Sequence, residues 1–210
     1  ETGLRAYGFL PRRPDCGLES RHLGLVTAQE MADLDAKLDI LGDLARKHLD
    51  IPGLLALAET APPLEAGPGL SLPPVAGRPR IAVARDSAFC FYYADALRLL
   101  ERLGAELAFF SPLADAALPE HAAGLYLGGG YPELYAAQLA DNQSMREAVR
   151  AAAAGGMPTV AECGGFLYLG RTLEGMDGKA RPMAGHLPGE GLRKERLVRL
   201  GYTQLRAEGD

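Results

Sequence analysis

Apolar and polar positions alternate with two different rhythms along the chain. Thr27-Ala-Gln-Glu30 has the form of a capping box, and Met31, Leu34, Leu38, Leu41 and Leu44 follow at three- and four-residue steps. This pattern predicts an amphipathic helix. Asp50 and Pro52 suit the cap and first turn of a second, shorter helix over 51–59. Ahead of both, residues 4–10 form a short apolar run that predicts a strand. Residues 60–80 hold six prolines and three glycines, a composition that resists helix and central strand alike and predicts a linker.

From Arg80 onward the rhythm changes. Short, mostly apolar runs at 81–84, 105–110, 124–127 and 158–162 predict buried strands. Helical patterns over 92–103, 132–139 and 142–154, and after Cys163, separate or follow them. Strands alternating with helices through short connections predict an α/β fold with a parallel sheet covered on both faces. Ligands of such sheets bind at the carboxyl ends of the strands. Gly128-Gly-Gly130 and Cys163 both fall at such ends.

Composition narrows the function. The 210 residues are 48% hydrophobic and 23% charged, as in a globular protein, and the net charge of −5 offers no footprint for nucleic acid. No apolar stretch reaches the roughly 18 residues of a membrane span. The three cysteines, Cys16, Cys90 and Cys163, are far apart and lack C-x-x-C spacing. Neither a disulfide framework nor a metal site is therefore expected, and a reducing cytoplasm is the expected setting.

The candidate chemistry centres on Pro158-Thr-Val-Ala-Glu-Cys163-Gly-Gly-Phe-Leu-Tyr-Leu. A strand that turns into a helix at one reactive residue, followed by two glycines, is a nucleophile elbow. Free cysteines are commonly core residues, but packing has no need of cysteine at a strand-to-helix switch. Gly128-Gly-Gly130 could be a tight turn only. It could equally turn backbone N–H groups toward a developing oxyanion beside the N–H of Gly164. No G-x-x-x-x-G-K-[ST] phosphate loop occurs. Of the histidines, His22 and His48 precede the linker and His121 lies at the amino end of a strand. His186 is the one positional candidate for a base, and a solvated loop is the plainer reading of it. Asp86 to Tyr93 reads either as a helix start with aromatic packing or as a wall of the site.

Several motifs together resemble the cobyrinic acid a,c-diamide synthase family. They are Arg85-Asp-x-Ala-Phe-x-Phe-Tyr-Tyr, Gly104-Ala-Glu, Phe110-Ser-Pro-Leu-x-Asp, Leu118-Pro-Glu, Leu125-Tyr-Leu-Gly-Gly-Gly-Tyr-Pro-Glu133 and Ala161-Glu-Cys-Gly-Gly165. Gly8-Phe-Leu-Pro and Arg21-His-Leu-Gly-Leu25 resemble the end of that family's synthetase domain. The resemblance implies residues 1–59 as the C-terminal part of an ATP-dependent, P-loop-type α/β synthetase domain. It implies 60–80 as linker and 81–210 as a class I glutamine amidotransferase domain of flavodoxin-like fold.

The activity so implied is a ligase reaction of cobalamin biosynthesis, in which ATP and Mg²⁺ activate the a- and c-carboxylates of cobyrinic or hydrogenobyrinic acid. Glutamine is the ammonia donor. Cys163 would form a γ-glutamyl thioester, with N–H groups of Gly128, Gly130 and Gly164 stabilising the oxyanion. The ATP and Mg²⁺ sites would lie outside this chain. The partners implied are glutamine and a corrinoid, with no nucleic acid and no membrane, and a homodimer is one of the assemblies left open.

The family's catalytic histidine lies downstream of the Leu200-Gly-Tyr202 run, so the chain is expected to be a fragment that ends before its base and is nearly inactive alone. Nickel-sirohydrochlorin a,c-diamide synthase and cobyric acid synthase share the architecture and are the nearest alternatives. A non-catalytic interaction module and a cysteine hydrolase of flavodoxin-like fold stand further off.

Overall fold

A computed structural model describes residues 3–21, 24–65, 67, 75–194 and 204. The chain divides into two compact units, Glu1–Gly69 and Leu70–Asp210, and the boundary falls inside the proline- and glycine-rich stretch.

In the first unit, strands β1 (Ser20–Arg21) and β2 (Gly24–Leu25) pair antiparallel and precede helices α1 (Leu34–His48) and α2 (Ile51–Glu59). The cap of α2 forms as its sequence predicts: Asp50 Oδ1 accepts the Gly53 N–H at 3.0 Å and a proline occupies the first turn. The capping box upstream does not. Thr27 Oγ1 instead donates to Glu30 Oε1 at 2.7 Å, and residues 28–30 form one 3₁₀ turn closed by the extended Met31. Helix α1 therefore starts only at Leu34.

Residues 4–10 are not a strand. The single β-bridge from Gly8 to Leu49 and the Asp50 N–H to Tyr7 carbonyl bond hold them against the α1–α2 junction. Among the described residues of this unit only Cys16 and Leu44 are buried apolar side chains, while Ile51, Leu54, Leu55 and Leu57 of α2 stay exposed.

The second unit is built on strands β3 (Arg80–Ala84), β4 (Glu106–Phe110), β5 (Gly124–Leu127) and β6 (Thr159–Ala161), all parallel in the order β4-β3-β5-β6. Helices α3 (Ala94–Arg102), α4 (Ala136–Asp141), α5 (Gln143–Ala154) and α6 (Gly164–Leu169) flank it. The helix expected from 92 begins at 94, because Tyr93 is extended (φ −79°, ψ 118°) and Tyr92 is drawn to the sheet.

The core lies on one face of this sheet, where Ala82, Ala84, Leu125 and Leu127 meet Leu139, Met145, Val149, Tyr168 and Leu169. The mostly apolar strands predict cover on both faces, because side chains pointing either way lose water in a covered parallel sheet. The opposite face is thinner. Ala96, Leu99 and Leu100 of α3 line a hollow there with Ile81 and Tyr126, and Val160 remains 61% exposed. Asn142 joins the layers: its Oδ1 accepts the Met145 N–H at 3.4 Å to cap α5, and its Nδ2 donates to the Pro112 and Asp115 carbonyls at 2.9 and 2.8 Å.

A second small sheet follows α6. Strands β7 (Thr172–Glu174), β8 (Ala180–Pro182) and β9 (Glu190–Gly191) pair in the order β8-β7-β9. No apolar periodicity announces them, since each is two or three residues long. Arg181 grips Asp177 across the β7–β8 turn with two bonds of 2.7 and 2.8 Å. The strand expected around Leu200-Gly-Tyr202 lies outside the described residues.

Two outcomes follow. Leu139→Ala, at a fully buried position, is expected to cost about 2–5 kcal/mol in urea unfolding. The Arg181 bonds hold the Asp177 carboxyl well below the usual carboxylate range. A carboxylate depressed in the folded state stabilises above the unfolded value of about 4, and that stabilisation fades as pH falls toward the folded value. Asp177→Asn should thus lower the urea midpoint at neutral pH and flatten its decline below about pH 4.

Candidate active site

The strand order places a topological switch at the carboxyl ends of β3 and β5, because the chain leaves β3 toward β4 on one side and β5 toward β6 on the other. Such a divergence opens a crevice. Here it is a cleft of about 510 Å³ lined by Cys90, Phe91, Tyr92, Tyr93, Gly129, Glu162 and Cys163.

Cys163 links β6 to α6 with φ 48° and ψ −113°, one of two positive-φ non-glycine residues among those described. Holding a side-chain-bearing residue there costs about 1–3 kcal/mol, a strain typical of functional turns. The surroundings impose it. Gly165 donates to the Gly128 and Glu162 carbonyls, both at 2.9 Å, and any side chain at Gly165 would strike the Leu127 carbonyl. The start of α6 is thus pressed onto the end of β5, and the exposed Cys163 stands out of the turn into the cleft. The strand–turn–helix geometry matches the elbow expected from the sequence.

Gly129 lies directly beside Cys163, since a Cβ placed on it would sit 3.5 Å from the Cys163 Cβ. Gly129 pairs with Phe91 in an isolated antiparallel bridge, so its N–H faces the Phe91 carbonyl, whereas among the described residues no hydrogen bond takes up the N–H of Gly130 or Gly164. The Gly130 nitrogen lies 3.2 Å from where a Gly164 Cβ would be, so these backbones converge. Gly128 departs from the expectation. Its N–H donates to the Tyr92 hydroxyl at 2.9 Å and is turned away from any oxyanion. The signal for this was the tyrosine pair after β3, but no local pattern ties a tyrosine to a glycine 36 residues on.

The aromatic segment after β3 is a wall of the cleft, not a helix start. Asp86 organises it: one carboxylate oxygen accepts the Ala88 and Phe89 N–H groups at 2.8 and 3.2 Å, the other the Ser111 hydroxyl and Leu113 N–H at 2.9 Å each. Phe91 packs edge-on against Tyr131 at 5.1 Å, and Tyr92 against Tyr126 at 5.2 Å. Burial raises the Tyr92 phenol beyond the ordinary tyrosine range, so it stays a hydrogen-bond donor. Tyr126 is raised chiefly by burial and then by the Glu162 carboxylate, 3.5 Å from its hydroxyl.

Neither His121 nor His186, the described histidines of the second unit, lines this cleft. His121 takes φ 59° in the turn before β5, at the amino end of the sheet. His186 is exposed in a separate hollow with Arg150, Ala151, Ala154 and Gly185. His48 ends α1 in the first unit, and His22 lies outside the described residues. Among the described residues the cleft holds no imidazole. No group of three or more His, Cys, Asp or Glu side chains among them could hold a metal ion, and no helix is long and apolar enough to cross a membrane.

Known proteins carry the same arrangement of sequence. The chain is 42% identical over its whole length to a cobyrinate a,c-diamide synthase of Dehalococcoides mccartyi, covering 46% of that protein. It is 48% identical over 97% of its length to a hydrogenobyrinate a,c-diamide synthase of Pseudomonas aeruginosa, covering 45% of it. A cobyrinate a,c-diamide synthase of Thermoplasma volcanium is 41% identical over 97% of the chain and 44% of its own length. The chain thus spans a little under half of the curated relatives it matches. Residues 80–210, which hold the sheet, the glycine loop and the elbow, match the CobB/CobQ-like glutamine amidotransferase domain, and the chain belongs to that family.

Proposed function

We propose that this chain supplies the glutamine-hydrolysing half of a cobyrinate or hydrogenobyrinate a,c-diamide synthase. The observation that carries the reading is Cys163, held at φ 48° on an elbow beside the unoccupied backbone N–H groups of Gly130 and Gly164. The relatives' names support the substrate.

In this reading the Cys163 sulfur attacks the γ-amide carbon of glutamine, and the carbonyl oxygen takes up negative charge. N–H groups of Gly130 and Gly164 meet that charge. Preorganised donors of this kind hold the oxyanion without the reorganisation that water would need. Collapse breaks the carbon–nitrogen bond, the leaving nitrogen takes a proton and departs as ammonia, and a γ-glutamyl thioester remains. Water then hydrolyses the thioester to glutamate and restores the thiol. The proton relay that the step needs is supplied from outside the described cleft, consistent with a base downstream of residue 200.

The amidation itself belongs to a synthetase half. Residues 1–59 are read as its carboxyl-terminal part. The exposed apolar side of α2 supports this, since four large side chains facing water imply a surface that is covered in a larger domain. The residues described here offer neither a phosphate loop nor a cluster of metal ligands, so no ATP or Mg²⁺ step is derived for them.

The test uses the complete native protein with glutamine, ATP, Mg²⁺ and cobyrinic, hydrogenobyrinic or nickel-sirohydrochlorin substrates. Cys163→Ala is expected to lower glutamine hydrolysis by at least about 10³-fold and to keep amidation when ammonium is supplied. Retained glutamine hydrolysis in that variant would remove Cys163 from the mechanism. Preference for the nickel tetrapyrrole would redirect the substrate.

A further inference from the structure

The crevice at the switch between β3 and β5 contains a bridge that the hydrolytic scheme does not require. Ladder pairing of β3 with β5 runs Ile81 with Gly124, Ala82 with Leu125 and Val83 with Tyr126. One step further, where the two strands part, the Tyr92 hydroxyl is interposed. It donates to the Ala84 carbonyl and accepts the Gly128 N–H. A single side-chain oxygen thus stands between the carboxyl ends of the two central strands.

The same segment holds the next two glycines in order. The Phe91 N–H donates to the Gly129 carbonyl at 3.0 Å. Gly130 approaches the Ala88 carbonyl so closely that a side chain there would overlap it. Residues 128, 129 and 130 are therefore each held by the segment that Asp86 ties down. Tyr92 also fits Gly128 sterically, because a Cβ on that glycine would lie 2.5 Å from the phenol ring.

We propose that Tyr92 is a positioning residue for the oxyanion loop, its hydroxyl setting where the free N–H of Gly130 points relative to Cys163. It touches neither sulfur nor substrate in this role. Taking up the Gly128 N–H matters as much as bracing the strand ends. With that donor committed to Tyr92, the loop cannot rotate to offer Gly128 instead of its neighbours. The inference rests on the amidotransferase reading, and it predicts an effect on turnover more than on glutamine binding.

The experiment compares Tyr92→Phe with the unmodified complete protein and with Tyr126→Phe as a control for loss of a neighbouring phenol. Tyr92→Phe keeps the ring and its packing while removing the bridge. The expected result is a kcat for glutamine hydrolysis lower by about tenfold to a hundredfold with KM within about twofold.

Inhibition by the γ-aldehyde analogue of glutamine should weaken by a similar factor. There the Cys163 sulfur adds to the aldehyde carbon and the oxygen gains the proton, so the adduct needs the same donors. Alkylation by iodoacetamide forms no oxyanion and should stay within about twofold of the unmodified rate, which reports an intact elbow. Hydrogen exchange in the 124–131 peptide should accelerate.

Gly128→Ala approaches the contact from the other side, by pushing on the ring. In the double variant the losses should not multiply, because both changes undo one contact. Unchanged exchange and unchanged kcat in Tyr92→Phe overturn the inference, as does an equal loss in Tyr126→Phe. If the unmodified protein hydrolyses no glutamine, the amidotransferase reading fails, and the catalytic role of Tyr92 fails with it. If hydrolysis is normal and only Tyr92→Phe is silent, the reading stands and the bridge does not.

Discussion

The cleft depends on backbone approaching backbone at the carboxyl end of the parallel sheet. Helix α6 begins against the Leu127 carbonyl, and the turn after β3 lies against Gly130. Neither contact leaves room for a Cβ. Because these segments cannot move apart without losing the Gly165 bonds to Gly128 and Glu162, Cys163 is confined to a conformation that costs about 1–3 kcal/mol. The strain is local, and it is offset by the buried core beneath it. Residues of that core, such as Leu127, Tyr168 and Leu169, sit directly under the elbow.

A rigid floor explains how the glycine loop can be both short and ordered. Three consecutive glycines lose more conformational entropy on folding than any other triplet. Left unsupported, they would be a mobile turn. Here the Asp86 carboxylate collects four donors and fixes the turn ahead of Phe91 and Tyr92. Those two residues then carry the order to Gly129 and Gly128. Order flows from a carboxylate on one strand end to a loop on another.

The rest of the molecule is unevenly packed. The sheet face toward α4, α5 and α6 is closed, while the other leaves Val160 exposed and Tyr126 half-buried. The first unit buries little and presents apolar residues of α2 to water. Both observations describe surfaces suited to further contacts, and they agree with a chain that spans under half of its relatives.

The order of strands and helices from Arg80, the elbow at Cys163 and the break in the proline-rich stretch were legible in the sequence. Each is a local property, set by apolar runs, by glycines after a reactive residue, or by residues that cannot continue a helix. Local signals misled where a second partner competed. Thr27 and Glu30 bonded to each other instead of capping a helix, and residues 4–10 found one bridge instead of a strand partner. The β7–β9 sheet was too short to leave a periodicity.

The site divides the same way. Sequence alone singled out Cys163 and the glycines as candidates, but not which N–H groups are free. That was decided when Tyr92, 36 residues earlier, took the Gly128 N–H and Phe91 paired with Gly129, leaving the N–H groups of Gly130 and Gly164 open. Sequence alone also left His186 in contention, and folding placed it in a different hollow. Spacing along a chain determines which element a residue joins. Which hydrogen bond it makes depends on groups that only the tertiary structure brings within 3 Å of it.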